Sequence, residues 1–331
     1  MPKFKDIVGQ QHIKMQVKSA IEEGRVGHAY IISGERFCGK EFLARTLAQT
    51  LVCEKGGTEP CGECHACILA EHHNHPDIVT VTHEDHPNSI GVDEVRDQIV
   101  DDVIIRPYSA PYKIYLVPEA EKMTPQAQNA LLKTLEEPPA YVVIMLLTTA
   151  TSVFLPTVRS RCEELAMKPV SDGELRRFLM EVKGMPDYHT DMCVAYAQGN
   201  VGKALQLNNS DEFETIRKAA MALVKKQHEM PLSEKISLVQ SMAKYKMDPE
   251  EFLDVVLVWY RDVLLYKATG EIERLVNASD LAVIRKVADR CSYEGIEEVL
   301  EAIEKAKARL RANVNFEMTM ELLLMTMQEK G

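Results

Sequence analysis

The chain has 331 residues, long enough for two or three domains with sizeable cores, and its 46% hydrophobic and 27% charged residues are ordinary for a globular protein. A formal net charge of −11 argues against a protein that grips DNA alone through a broad basic face. No signal-peptide pattern opens the chain and no run of ~18 apolar residues occurs, so a cytoplasmic protein without membrane spans is expected.

Residues 1–28 carry Ile13, Val17, Ala20 and Ile21 at helical spacing. An apolar run, Ala29-Tyr30-Ile31-Ile32, then leads into Gly34-Glu35-Arg36-Phe37-Cys38-Gly39-Lys40-Glu41 and an amphipathic segment from Phe42 to Leu51. This is the strand, glycine loop and helix order of a phosphate-binding loop. Gly34 and Gly39 would let backbone N–H groups close around phosphates, and Lys40 would reach the outer ones. Such loops end in Ser or Thr, whose hydroxyl holds magnesium; Glu41 stands there instead. The second acidic element is degraded in the same way. The run from Lys113 to Glu121 reads as a buried strand with acids at its end, but Pro118 takes the usual aspartate position and Glu119 alone remains. Both losses fall on the metal, so ATP or ADP binding is doubtful and Mg2+ is not expected at this site.

Cys53, Cys61, Cys64 and Cys67 follow in a polar, glycine-bearing segment. Four soft ligands at this spacing fit one tetrahedral zinc, structural because no position stays open for water. Cys61-Gly62-Glu63-Cys64-His65 also matches a haem-attachment pattern, which would need export. A redox pair would leave Cys53 and Cys67 without a role, and four separate thiols are the remaining alternative. His65, His72, His73 and His75 are expected to be solvated loop residues.

Three further apolar runs, Ile78 to Val81, Ile114 to Val117 and Val142 to Leu147, are unbroken rather than alternating, which predicts a parallel sheet covered on both faces. Val92, Val95, Ile99 and Val103 mark one intervening helix. Thr124-Pro125 opens another, with Ala127, Ala130, Leu131 and Leu135 inward and Pro138-Pro139 as its stop. Thr149 lies at the carboxyl end of the last of these strands, the edge where open α/β sheets bind ligands. Arg159 and Arg161 follow, just before the strand signals end; a surface salt bridge is the ordinary use of either. Ser171 to Val182 and Tyr188 to Leu207 read as a small helical unit, and Asp211 onward as helices to the end. Among these, Met318, Met320, Met325 and Met327 are read as core residues.

His28-Ala29-Tyr30, the four-cysteine module, Asn129-Ala130-Leu131-Leu132-Lys133-Thr134-Leu135-Glu136-Glu137-Pro138-Pro139, Ser160-Arg161-Cys162 and Asn313-Val314-Asn315 together closely resemble the delta-prime class of bacterial DNA polymerase III clamp-loader subunits, an AAA+ family. The resemblance spans essentially the whole chain. It implies an α/β AAA+ P-loop domain with a zinc insertion over 1–168 (module at 53–67), a helical lid over 169–208 and an all-α collar over 209–331. It also implies a cytoplasmic heteropentamer in which this chain does not hydrolyse ATP, and DNA polymerase activity belongs to other subunits. Arg161 would act in trans as an arginine finger, while Gly34, Gly39, Lys40, Glu119 and Thr149 would frame a degenerate nucleotide site. The implied partners are gamma/tau and delta type subunits, with the sliding clamp and primed DNA reached through the complex and no membrane. Two alternatives stand beside this. An ATP-hydrolysing gamma/tau-type subunit would need an intact loop, a Walker B aspartate and an arginine near Lys203. An independent zinc-dependent nucleic-acid module would need clustered Lys or Arg near the cysteines.

Overall fold

The computed structural model describes residues 3–84, 86–208, 211–226, 248–312 and 314–330, together with Pro231, Glu234, Ser237 and Val239. It divides into two compact units, Met1–Phe178 with Gly199–Lys203, and Leu179–Gln198 with Ala204–Gly331.

The first unit is built on five parallel strands: β1 (Ala29–Ser33), β2 (Ile78–Thr80), β3 (Lys113–Val117), β4 (Val142–Thr148) and β5 (Glu163–Ala166), in the spatial order β2-β3-β4-β1-β5. The register pairs Ile31 with Leu146 and with Glu164, and Tyr115 with Ile144. Every residue of β1, β3 and β4 is buried. Successive side chains enter opposite cores. Tyr30, Ile32, Ile114, Leu116, Val143 and Met145 fill one layer; Ala29, Ile31, Tyr115, Val117, Ile144 and Leu146 fill the other. Two apolar faces on one strand require two helical layers, which is why the apolar runs in the sequence are continuous.

Helices α1 (Gln11–Glu22) and α2 (Lys40–Val52) supply one layer, with Ile13 and Val17 in the same core as Leu43 and Leu47. The short α3 (His65–Glu71) also joins it, through Ala66 and Ala70. The other layer holds α4 (Val92–Val95), which runs on through a π-helical turn at Arg96–Val100, and α5 (Pro125–Glu136). Val95, Ile99 and Val103 are buried as their spacing predicts. Thr124 caps α5 by accepting from the Ala127 N–H, with Pro125 in the first turn where its missing donor costs nothing. After β4 come α6 (Pro156–Arg159), β5 and α7 (Asp172–Arg177), whose Ser171 and Glu174 form a capping box.

The second unit is helical: α8 (Asp187–Ala197), α9 (Val201–Asn208, whose first turn belongs to the first unit), α10 (Asp211–Lys226), α11 (Pro249–Thr269), α12 (Leu281–Arg290), α13 (Tyr293–Arg311) and α14 (Phe316–Lys330). α11 is its axis, with Phe252, Trp259, Tyr260 and Val263 fully enclosed. Two buried aspartates lie on it: Asp254 meets Lys307 of α13 at 2.7 Å, and Asp262 accepts from the backbone N–H of Val276 and from Asn277. Of the four methionines read as core, Met320 and Met327 are buried, whereas Met318 and Met325 are exposed on the other side of α14. Asn313 and the expected helical stretches 227–230 and 240–247 lie outside the described residues.

Candidate functional site

The glycine loop leaves β1 at the carboxyl edge of the sheet, and its first backbone N–H donates to the Thr148 carbonyl of β4. Gly34 must be glycine for lack of room: a Cβ there would stand 2.8 Å from Cys38 Sγ and 3.1 Å from Met167 Cβ. Gly39, at φ 97°, turns the chain into α2. The sequence therefore builds the loop it promises.

Its ligand groups are already committed. Lys40 Nζ donates to the carbonyls of Gly34 at 2.8 Å and Glu35 at 2.7 Å, folding the ammonium back onto its own loop. Burial holds the Lys40 ammonium below its ordinary pKa, opposed by Cys38, Glu121 and Glu35. Glu41, at the magnesium-ligand position, is taken by Arg45 one turn along α2, at 2.7–2.8 Å, and Arg45 reaches His73 Nδ1 at 2.8 Å.

Glu119 sits beyond β3 in a left-handed conformation (φ 49°) and pairs with Lys122 at 2.8 Å and His83 at 3.5 Å. The Lys122 hydrogen bond keeps its carboxyl below the usual range. Thr149, past the end of β4, gives its hydroxyl to Glu121 at 2.9 Å and its N–H to the same carboxylate at 3.3 Å. Glu121 thus links Thr149 with the field at Lys40, a role that the sequence reading did not assign to it.

A second unassigned residue is Asn200. Only 4% exposed, it donates to the Arg36 carbonyl at 2.8 Å and accepts from the Lys203 N–H at 3.1 Å. Two residues on, Gly202 N–H donates to the Phe37 carbonyl at 3.1 Å. The segment Gly199–Lys203 is therefore a strap across the outside of the loop. The only signal in the sequence was the Gly-Asn-Val-Gly string, a pattern too short to be read alone.

Arg161 follows α6 and reaches Glu136, at the end of α5, at 2.8 Å; its other terminal nitrogen donates to the Thr157 carbonyl at 2.8 Å. Both partners of the ion pair are part exposed.

The four module cysteines converge, with all four sulfurs within 4.8 Å of one another. Tetrahedral zinc at roughly 2.3 Å from each thiolate needs sulfurs about 3.8 Å apart; Cys61 and Cys67 Sγ are 3.8 Å apart. Backbone N–H groups of Cys61, Glu63, Cys64 and Cys67 each point at a module sulfur at 3.4 Å, the donors that thiolates require. At Cys61 the N–H groups of Glu63 and Cys64 bring the thiol down to about 6, while burial pushes Cys67 up. The donor set therefore fits a four-coordinate soft metal. Of the histidines expected in solvent, His65, His72 and His73 are exposed but His75 is buried, because it packs beneath α2 and α3 rather than on the module's surface.

The family model described as DNA polymerase III, delta subunit, matches residues 9–171, and the model for that subunit's C-terminal part matches 212–329. DNA polymerase III subunit delta' of Bacillus subtilis is 30% identical over 97% of this chain and 96% of its own length. The tau subunit of the same organism is 26% identical over 93% of this chain, which spans 58% of that longer protein. A gamma subunit-related protein of known structure from Thermotoga maritima shares 19% identity and a TM-score of 0.48, covering 97% of this chain and 99% of its own.

Proposed function

Because the chain belongs to the DNA polymerase III delta-prime family, we propose that it is the non-hydrolysing, stator-like subunit of the clamp loader, helping to place the sliding clamp on primed DNA during replication. The observation that carries the non-hydrolysing part is the make-up of the magnesium site: Glu41 stands where the hydroxyl ligand would be, and Pro118 has no carboxylate to offer. Without those ligands a phosphoryl group has no cation to neutralise its developing charge. Gly34, Gly39, Lys40, Glu119 and Thr149 would still frame a nucleotide, so weak ATP or ADP binding without Mg2+ is the most this site supports.

The catalytic contribution is assigned to Arg161, offered to ATP held by a neighbouring gamma/tau subunit. A part-exposed arginine–carboxylate pair contributes about 0–1 kcal/mol, so exchanging Glu136 for a more highly charged phosphate is inexpensive. The guanidinium stays charged and forks onto phosphate oxygens, which lysine cannot do. Zinc would be held by Cys53, Cys61, Cys64 and Cys67 and would supply cross-linking rather than chemistry, since all four positions are filled by protein.

The proposed assembly has an AAA+ domain over 1–168, a lid over 169–208 and a collar over 209–331 that joins gamma/tau and delta type subunits into a pentamer. The compartment is the cytoplasm, and no helix among the described residues is long and apolar enough to cross a membrane. The test is a reconstituted clamp loader carrying Arg161→Ala. Subunit assembly and zinc content should be unchanged, while DNA-stimulated ATPase and clamp loading fall, the one ATP site that Arg161 serves losing about 10³-fold or more, the scale of a lost arginine finger. Full loading activity would return Arg161 to its pairing with Glu136 and end the trans-acting role.

A further inference from the structure

The guanidinium of Arg161 is held at three points by its own chain. One terminal nitrogen meets Glu136 Oε1 at 2.8 Å, and the other donates to the Thr157 carbonyl at 2.8 Å and to Ser160 Oγ at 3.3 Å. The last two contacts come from α6 and the residue after it; the first reaches across to α5. Glu136 is the final residue of α5, where the helix dipole is negative, and a second acid, Glu137, follows it. An acid is the wrong charge for the end of a helix. The helix itself therefore gives no reason for a carboxylate at 136, and among the described residues Arg161 is the only cation paired with it.

The frame around the pair leaves the side chains alone to move. Gln128 of α5, only 2% exposed, donates to the Val153 carbonyl at 3.2 Å and accepts from the Leu155 N–H at 2.8 Å, which ties α5 to the turn that opens α6. Leu131 and Leu135 of α5 share a core with Phe154 and Val158. The backbones that carry Glu136 and Arg161 are thus fixed to each other, while both side chains of the pair are part exposed. Swinging the guanidinium off Glu136 takes rotation about side-chain bonds rather than movement of either helix.

Given the trans-acting role read for Arg161 above, on which this rests, we propose that Glu136 is its positioning residue: it keeps the guanidinium on its own chain until a nucleoside triphosphate is seated in the neighbouring subunit, and it competes with that triphosphate for the arginine. The competition is selective. Arg161 serves the γ-phosphate, so a diphosphate leaves it with Glu136, whereas a triphosphate draws it from one carboxylate to a group of greater charge with more acceptor oxygens.

The test is titration of the reconstituted clamp loader with ATPγS and, separately, with ADP. In Glu136→Gln one part of the ATPγS isotherm should tighten by about two- to fivefold, the equilibrium ratio of a part-exposed ion pair, with ADP binding unchanged. That part should be the one that Arg161→Ala weakens, and adding Glu136→Gln to Arg161→Ala should change nothing further. The Tm of the isolated chain should move by less than about 2 °C in Glu136→Gln, because the charge removed is one that the end of α5 disfavours. A greater loss would make the pair a brace between α5 and α6 instead of a reserve for the arginine. If Arg161→Ala slows hydrolysis but Glu136→Gln fails to tighten ATPγS, tightens ADP equally or acts without Arg161, Glu136 is no competitor, although the role of the arginine stands. If Arg161→Ala changes neither ATPγS binding nor hydrolysis, the trans-acting role itself falls, so this one variant tells the two failures apart.

Discussion

Asp77 is 1% exposed, and its carboxylate accepts from the backbone N–H groups of Tyr108, Ser109 and Ala110. Burial pushes its carboxyl up, but the three donors outweigh burial and hold it below its ordinary value of 3.8. A folded-state value that is depressed gives stability that is complete above the ordinary range and is lost as pH falls through the folded value. Asp77→Asn should therefore cost about 1.5–3 kcal/mol near neutral pH, the worth of hydrogen bonds to a charged group. That deficit should shrink in urea titrations carried below pH 3.8, where the unfolded carboxyl takes up its proton first and the native one follows only at its lower value. The backbone it pins at Tyr108–Ala110 follows the exposed Ile104 and Ile105, and Tyr108 is itself strongly exposed. None of this was legible in the sequence. Asp77 precedes a predicted strand by one residue, and its partners lie more than thirty positions away, where no periodicity points.

The strap of Gly199–Lys203 makes a sharper demand on its element. A Cβ on Gly202 would sit 2.2 Å from the Phe37 carbonyl oxygen, a contact with backbone that no side-chain rotation relieves. Gly202→Ala should destabilise the first unit by about 1–3 kcal/mol, as overpacking does, and should raise hydrogen exchange at the amides of residues 36–41 first. The four-cysteine module sets the complementary prediction. It is short and polar, with little core of its own, so its order should depend on the metal. Elemental analysis should find one zinc per chain in the native protein and none in a Cys61→Ser/Cys64→Ser double variant, while replacing Cys38, Cys162, Cys193 or Cys291 leaves the zinc in place. Elements with a strong period were readable from the sequence: β1, β3, β4 and α5 fall where their apolar runs place them. Strand β5 was not, because Glu163-Glu164-Leu165-Ala166 is an edge strand with one buried side chain, Leu165, and two exposed acids. The candidate site was legible where a motif fixes the spacing, at Gly34, Lys40 and the four cysteines. It was silent where tertiary contact assigns the role, at Glu121 and Asn200.

At the scale of the whole molecule, the acidic balance and the committed phosphate loop point the same way. With a net charge of −11 and no intact magnesium site, the pure chain should neither turn over ATP above background with Mg2+ nor be stimulated by primed DNA. Steady turnover that disappears in Lys40→Ala would show that Glu41 or Glu119 can be released to serve a metal. The gamma/tau alternative meets the same assay, since a hydrolysing subunit must pass it.

The division of the chain carries a last consequence. Residues up to Phe178 belong to the first unit, Leu179–Gln198 to the second, Gly199–Lys203 to the first again, and the remainder to the second. The polypeptide is thus interleaved, and no single scission yields both units whole. A fragment ending at Phe178 lacks the Asn200 and Gly202 donors that cover the carbonyls of Arg36 and Phe37, whereas a fragment beginning at Leu179 carries those donors with nothing to receive them. Gene fusion, truncation or shuffling at this junction therefore cuts through a single folding unit, and recombination that keeps both halves working must exchange them together.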